Sequence, residues 1–478
     1  MENTNREGFG SSFAFIMAAV GSAVGLGNIW GFPYKMGLNG GFAFLLIYLI
    51  LAAFVGLAVM IGEHVIGRKT GMSPIAAYRK ISKKFTWLGY MAVIAPFVIL
   101  CFYMVLGGMV MRYACSYLTA MVGWNTWGVE TATDFYGAFR INGVQMVLWT
   151  VIFIAINTAI VCGGVGGGIE KFCNVGMPCL FVILIIVIVY VAVQPGAVGG
   201  YQFMFGLNID PLKEDFLKVL KTAAGQMFFS LSLGMGAMIT YGSYMSKKEH
   251  LQRNAVIVVV MDTLAAIMAG MIVMPACYAF LEGNTRGGPG LLFDSMQAVF
   301  YNMGGFIGDL MGFLFYFLVF IAAISSSMSL LEAITATKID SDIAKGKAPK
   351  RRATALVFAI LVLIFCMPTA LDGLGSGTAG GAWLPTPGEL FGIENPSGWS
   401  ADWLDFYDML SEGIIIPLGA MIMAFAIGWI WKIDMVKEEI EASGHKMWGK
   451  AFFAACYKFI TPIGMIIVLY GQITAYFG

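Results

Sequence analysis

Asp262 is the residue whose position most plainly demands chemistry. It lies in an apolar stretch that begins near Asn254, just after the basic segment SKKEHLQR. At ~1.5 Å rise per residue it sits ~12 Å deep, close to the middle of a ~30 Å hydrocarbon core. A carboxylate there costs about 2.5–3.5 kcal/mol or more, so it must face a cation or a partner. A structural ion pair, with Lys458 as the basic residue at comparable depth, is one reading. A protonated helix–helix hydrogen bond is another, and a bound cation is the third and the best account of so isolated an acid. Ser325-Ser326-Ser327 stands in a second apolar run, after VFIAAI. Serines bonding back to their own helix, or easing close packing, explain them singly. Beside bare backbone carbonyls they become candidate oxygen ligands for a hard cation.

Bare carbonyls require broken helices, and the chain has two apolar runs built to break. AAVGSAVGLGNIWGFP, Ala18 to Pro33, loads Gly21, Gly25, Gly27, Asn28, Gly31 and Pro33 into one run. Gly and Pro cost roughly 1 and 3 kcal/mol in a helix interior. In a bilayer the freed backbone groups need partners within the protein. Such a break is either a kink packed on neighbours or a place where backbone holds a ligand. GQMFFSLSLGMGAMITY, Gly225 to Tyr241, is the second such run, and Gly25/Gly234 and Gly27/Gly236 share one offset. Paired interruptions in the two halves of a hydrophobic chain point to a transporter's binding site. They predict the two walls of one central site.

The elements that must position these residues are membrane spans. Charged residues are 12% of 478, mean hydropathy is +0.80, and long apolar runs recur from end to end. The fold class is therefore an all-α polytopic membrane protein, in contact with lipid bilayer throughout. Eleven spans are predicted: 12–38, 41–66, 86–118, 144–161, 174–193, 215–244, 254–281, 308–337, 353–370, 403–431 and 449–476. Most of the 29 Lys and Arg fall in the loops on the N-terminal side, which places the N-terminus in the cytoplasm and the C-terminus outside. Spans one to five (about 12–193) and six to ten (about 215–431) then form a 5+5 inverted repeat within a single transporter domain, 1–478. The eleventh (about 449–476) lies outside the repeat. The long loop 371–402 reads as an external surface elaboration.

Other classes are excluded. The eight cysteines lie in or beside apolar segments without CxxC spacing, and the three histidines are far apart in sequence, so neither disulfide framework nor zinc site is expected. GGVGGGIEK, 163–171, lacks the Lys-Ser/Thr of a phosphate loop and reads as a flexible cytoplasmic loop. No Ser-His-Asp set, paired acids or cofactor fingerprint suggests an enzyme. No basic stretch carries the interleaved aromatics of a nucleic-acid surface. The polar residues 1–10 precede no cleavage site, so the first span doubles as the targeting element.

GSAVGLGN..GFP, GQMFFSLSLGMGAMITYGSY and the serine triplet, in this order, resemble the neurotransmitter:sodium symporters over nearly the whole chain. The eleven-span form with an aspartate in span seven is similar to the bacterial tyrosine-transporter branch. The resemblance implies a LeuT-like fold with spans one and six unwound at mid-membrane. It implies two sodium ions as cosubstrates, the first held by Ala23, Asn28, Ser230 and Asp262, the second by Gly21, Val24, Ala322, Ser325 and Ser326. It implies an amino acid contacting Ala23, Gly25, Gly27, Ile99, Tyr103, Phe229, Ser230, Ser232, Met235, Ser326 and Leu330. Amine transporters carry an aspartate where this chain has Gly25, which favours a substrate that brings its own carboxylate. Chloride-dependent members are similar at Tyr48, Gln226 and Ser230 but have Asn where Asp262 stands, so no chloride is expected to be required. The gates implied are Arg6, Tyr244 and Asp340 inside, near Phe9 and Ser243, and Asp408 outside. The usual outer-gate arginine is Gly31 here, and Lys35, one turn on, is the candidate stand-in. Gly168 and Pro178 resemble an unwinding element that admits water to the second sodium. The function so implied is sodium-coupled import of a neutral large hydrophobic or aromatic L-amino acid, tyrosine first. The alternatives are a proton-coupled transporter of the same fold, or a ligand sensor without turnover.

Overall fold

The computed structural model describes residues 8–124, 127–128, 134–283, 290–375, 384–393 and 396–477. Among these, nine continuous helices are long and apolar enough to cross a membrane: Phe42–Thr70, Lys83–Ala120, Gly143–Cys162, Val165–Ala192, Leu251–Phe280, Gly305–Ala344, Arg351–Leu371, Trp403–Ile430 and Lys450–Phe477. A tenth span is the pair Ser12–Ala23 and Gly27–Leu38, bent by 50° at its break. The helices Phe216–Ser230 and Ala237–Tyr244, separated by the non-helical 231–236, occupy the place of the remaining predicted span. The architecture is thus all-helical and matches the expected series.

Burial sorts the spans. The apolar windows of Phe42–Thr70, Lys83–Ala120, Leu251–Phe280 and Gly305–Ala344 are 61–78% buried, whereas Gly143–Cys162, Val165–Ala192, Arg351–Leu371 and Lys450–Phe477 are 39% buried. The first group therefore packs around the two broken spans, and the second presents apolar side chains outward, as lipid contact requires. Small residues set the closest approaches. A Cβ at Gly67 would lie 2.0 Å from the Ile239 carbonyl oxygen, and one at Gly242 2.8 Å from the His64 Cα. Span two and the inner half of span six thus meet backbone to backbone.

Two expectations need correction. The stretch 163–171 is not a loop throughout: Val165–Ile169 forms one wide π-type turn that runs directly into the helix Glu170–Ala192. Gly168 is there for contact, since a Cβ would stand 1.9 Å from the Ile160 carbonyl oxygen. The helix also continues through Pro178, so the Gly168–Pro178 element is wound in this conformation. Span eight runs seven residues past its predicted end, to Ala344, and carries Asp340 within the helix.

On the Lys/Arg-rich side, the connection between the last two spans is clasped to the bundle. The buried Arg68 guanidinium donates to Glu439 Oε1 (2.9 Å) and to the Glu249 carbonyl (2.8 Å), and Lys247 also reaches Glu439 (2.6 Å). Gln252 and Trp448 exchange hydrogen bonds, and the His250 and His445 rings stack 4.2 Å apart. Partial burial, then the His445 ring, and then Arg253 and Arg68 hold the His250 imidazole below its ordinary value. A base with a lowered pKa in the closed clasp loses stability on acidification, starting as pH falls below the free imidazole value of about 6.5. Hydrogen exchange over 432–450, corrected for intrinsic rate, is expected to speed up between pH ~7.5 and ~5.5, and His445→Gln to flatten that response.

Candidate functional site

The first break begins where the chain leaves the helix at Val24 (φ −73°, ψ 107°). The amides this releases are taken by side chains: Gly25 N donates to Asn28 Oδ1 (2.9 Å) and Leu26 N to the Tyr103 hydroxyl (2.9 Å). In the second break Ser232, Gly234 and Gly236 all have positive φ, at 52°, 75° and 71°, which no continuous right-handed helix admits. Glycine is required at 234 and 236 for a second reason. A Cβ would lie 2.8 Å from the Ile416 carbonyl oxygen at the first and 2.5 Å from that of Ala92 at the other. The freed Gly234 N–H donates to the buried Glu63 carboxylate (2.7 Å).

The two breaks face each other. Ser232 Oγ donates to the Ser22 carbonyl at 2.7 Å, tying the second break to the last turn of the helix that leads into the first. Between them lies a small cavity lined by Ala23, Gly25, Gly27, Ile99, Tyr103, Phe229, Ser232, Met235, Ser326 and Leu330. Of the residues expected around a substrate, only Ser230 is turned elsewhere, toward Asp262. The cavity wall is apolar and aromatic, with three hydroxyls and the backbone of the first break as its polar groups.

Asp262 is fully buried beside this cavity. Its carboxylate accepts from Asn28 Nδ2 (2.7 Å), from Ser230 Oγ (3.0 and 3.1 Å to its two oxygens) and, more distantly, from the Tyr48 hydroxyl (3.4 Å). Lys458 instead lies over the Trp429 ring, 5.3 Å from its centroid. Among the described residues the acid thus has hydroxyl and amide neighbours and no basic one. That removes the Lys458 ion-pair reading and leaves two, the helix–helix hydrogen bond and the bound cation.

The second expected set also converges. Ser326 Oγ lies 3.3, 3.1 and 3.2 Å from the carbonyl oxygens of Gly21, Ser22 and Val24, and Ser325 Oγ lies 3.0 Å from that of Ala322. These are neutral oxygen donors, the type a hard monovalent cation selects. Ser22 and Ser329, whose hydroxyls meet at 2.7 Å, extend this cluster and were not foreseen.

The gate residues are only partly brought together. Arg6 lies outside the described residues. Asp340 accepts from Ser73 N (2.6 Å), while Tyr244 donates to Glu332 (2.6 Å), which also pairs with Arg351. Phe9 packs its ring against Tyr241 and Tyr244 beneath the site. On the other side Lys35 pairs with Glu412, and Asp408 lies within electrostatic reach of both. Glu63, Glu332 and Glu412 were missed, although the first two are acids within apolar runs, the same signal that marks Asp262.

Comparison with known proteins agrees with this geometry. The family model described as "Sodium:neurotransmitter symporter family" matches residues 6–136 and 137–384. An uncharacterised sodium-dependent transporter of Bacillus subtilis (strain 168) is 32% identical over 473 residues, covering 96% of both chains. One of Haemophilus influenzae is 31% identical over 483 residues, covering 98% of each. The crystal structure of MhsT in complex with L-phenylalanine superposes with a TM-score of 0.84 at 34% identity, covering 98% of this chain and all of that one. The chain belongs to the sodium:neurotransmitter symporter family and is a multi-pass, sodium-coupled transporter of LeuT-type fold, not an enzyme.

Proposed function

We propose that the chain imports a neutral, large hydrophobic or aromatic L-amino acid, tyrosine first among candidates, by alternating access driven by sodium. The observation that carries this is the cavity between the two breaks. Its side walls, Ile99, Phe229, Met235 and Leu330, suit an apolar or aromatic side chain. The backbone amides at the start of the outer half-helix, now capped by Asn28 and Tyr103, suit a carboxylate. That MhsT was crystallised with L-phenylalanine supports the substrate class. Ala23, Asn28, Ser230 and Asp262 hold one sodium beside the substrate; Gly21, Val24, Ala322, Ser325 and Ser326 hold a second. The buried Asp262 charge takes the place of chloride. The inverted repeat, an inside N-terminus and an outside C-terminus in a bacterial inner membrane complete the reading, with Gly168–Pro178 unwinding to release the second sodium.

The test is uptake of radiolabelled tyrosine into proteoliposomes. An inward sodium gradient without chloride is expected to drive accumulation, competed by phenylalanine, leucine and tryptophan but not by tyramine, which lacks the carboxylate. Uptake driven by a pH gradient without sodium supports the proton-coupled alternative, with Asp262 as carrier. Sodium-dependent binding without accumulation supports a sensor.

A further inference from the structure

We propose that the lipid-facing side of the third span, at its Lys/Arg-rich end, binds the headgroup of an anionic phospholipid. This goes beyond the transport reading and does not depend on it, since it needs only that the span crosses a bilayer.

Between Glu63 and Glu130 the chain has no acidic residue, yet 68–84 holds Arg68, Lys69, Arg79, Lys80, Lys83 and Lys84. Arg68 is engaged by Glu439, Lys69 by Glu438 (3.6 Å) and Lys80 by the Thr70 carbonyl (2.9 Å). Lys83 and Lys84 are exposed and form no ion pair among the described residues. They open the helix Lys83–Ala120. Lys83, Trp87, Tyr90 and Ile94 follow at steps of four, three and four residues, which puts them on one helix face. Trp87, Tyr90 and Ile94 are 44%, 50% and 49% exposed. Lys83 and Ile94 are ~16 Å apart along the axis, about the hydrocarbon depth of one leaflet. The stripe thus runs from a cation through two amphipathic rings to an aliphatic side chain, the profile of a phospholipid from phosphate to acyl chain. A soluble acidic partner reaches the lysines but not Ile94, which lies at acyl-chain depth. A lipid reaches all four, and an anionic one brings the negative charge that 64–129 lacks.

The opposite face of the same helix reaches the site. A Cβ at Gly89 would lie 2.5 Å from Ile75 Cα, so the short helix Pro74–Ile81 packs backbone to backbone against the span. A Cβ at Gly236 would lie 2.5 Å from the Ala92 carbonyl oxygen and 2.6 Å from Pro74 Cγ, so the second break rests on both helices. Ser73 N, just ahead of the short helix, donates to Asp340 on span eight (2.6 Å). A lipid held on the outer face therefore steadies a wedge whose inner face touches the second break and span eight.

The test uses the full-length protein in phosphatidylcholine vesicles carrying brominated phosphatidylglycerol or, for comparison, brominated phosphatidylcholine. Bromine quenches nearby indoles, and the difference made by Trp87→Phe in each background isolates Trp87 among the 11 tryptophans. At equal bromolipid fraction, phosphatidylglycerol is expected to be enriched at Trp87 about tenfold over phosphatidylcholine. Lys83→Gln with Lys84→Gln is expected to bring that ratio to within about twofold of one, and Lys83→Arg with Lys84→Arg to keep it. Recovery with arginine separates lost charge from lost folding. Lys69→Gln, which removes a lysine already paired with Glu438, is expected to change the ratio little. Hydrogen exchange over 73–81 is expected to slow about threefold when phosphatidylglycerol is present, in the parent but not in the double glutamine variant. No enrichment at Trp87 overturns the site, as does enrichment that survives loss of both lysines. A loss with Lys69→Gln as large as with the double variant also overturns it, because the attraction is then the diffuse charge of that side. Enrichment with unchanged exchange over 73–81 overturns the coupling to the second break.

Discussion

Asp262→Asn is expected to leave a transporter that accumulates substrate only when chloride is present. The acid is fully buried, and the groups aimed at it are the Asn28 amide, the Ser230 hydroxyl and the Tyr48 hydroxyl. All are donors, and none carries a positive charge to balance the carboxylate. In the proposed reading a sodium ion held at Ala23 and Asn28 supplies that balance, so removing the carboxylate would leave the ion's charge uncompensated in a dry site. Breaking a buried charge pair costs about 3–5 kcal/mol, or roughly two to three and a half powers of ten in sodium affinity. The donors remain after substitution and face a space one unit of negative charge short. A chloride ion can restore that charge using Tyr48 and Ser230, with Gln226 close by on the same half-helix. Uptake by the variant is therefore expected to fall ~100-fold in gluconate and to recover substantially in chloride, while wild-type uptake is equal in both. Chloride-independent uptake by Asp262→Asn at the wild-type rate would sink the idea.

The positions of the breaks and the acid were legible in the sequence because their cost is local. Gly25, Gly27, Gly234 and Gly236 weaken a helix wherever they are placed, and a carboxylate at mid-depth needs a partner whatever the neighbouring spans do. The cavity followed from those two facts together with the family resemblance. Contacts that depend on how two distant helices lean on one another were not legible. Nothing near Lys35 in sequence says that Gln226 fills the space beside Gly31, or that Glu412 joins Asp408 as a second acid beside Lys35. The same holds for Arg68, a charge at a span end that reads as a solvated marker of topology. It is buried against Glu439, 371 residues away. The glycines of 163–171 were read as flexible because glycine has two uses, and only Ile160 across the contact shows that Gly168 serves close approach. Glu63 and Glu332 stand within a few residues of the predicted ends of their spans, a place that reads as open to water, yet the structure buries both.

Gly25→Ala is expected to abolish substrate binding at concentrations that saturate the parent, while the protein stays folded. A Cβ at this position would lie 2.4 Å from Ser326 Oγ, 2.7 Å from the Tyr103 hydroxyl and 3.0 Å from Ser326 Cβ. The two hydroxyls can rotate or recede, but each already has a place in the site. Ser326 Oγ sits among the carbonyls of Gly21, Ser22 and Val24, and the Tyr103 hydroxyl caps Leu26 N. One added methyl group thus pushes on both the proposed oxygen cage of a cation and the proposed anchor for a carboxylate. Overpacking alone costs about 1–3 kcal/mol, a factor of roughly 5 to 150 in Kd. The loss is expected near the upper end, because the displaced groups are ligands rather than bystanders. The collision is confined to side-chain ends at the cavity rim, so thermal stability measured without sodium or substrate is expected to change little. Stabilisation by the two ligands together is expected to disappear. Gly27→Ala is the comparison: its Cβ would press on the Phe229 ring at 2.8 Å, disturbing that ring but neither hydroxyl. It is expected to weaken tyrosine binding while leaving the sodium-induced stabilisation in place. Equal tyrosine affinity in Gly25→Ala and the parent would show that the carboxylate is held elsewhere, and the site would have to be rebuilt from Ser232 and the second break.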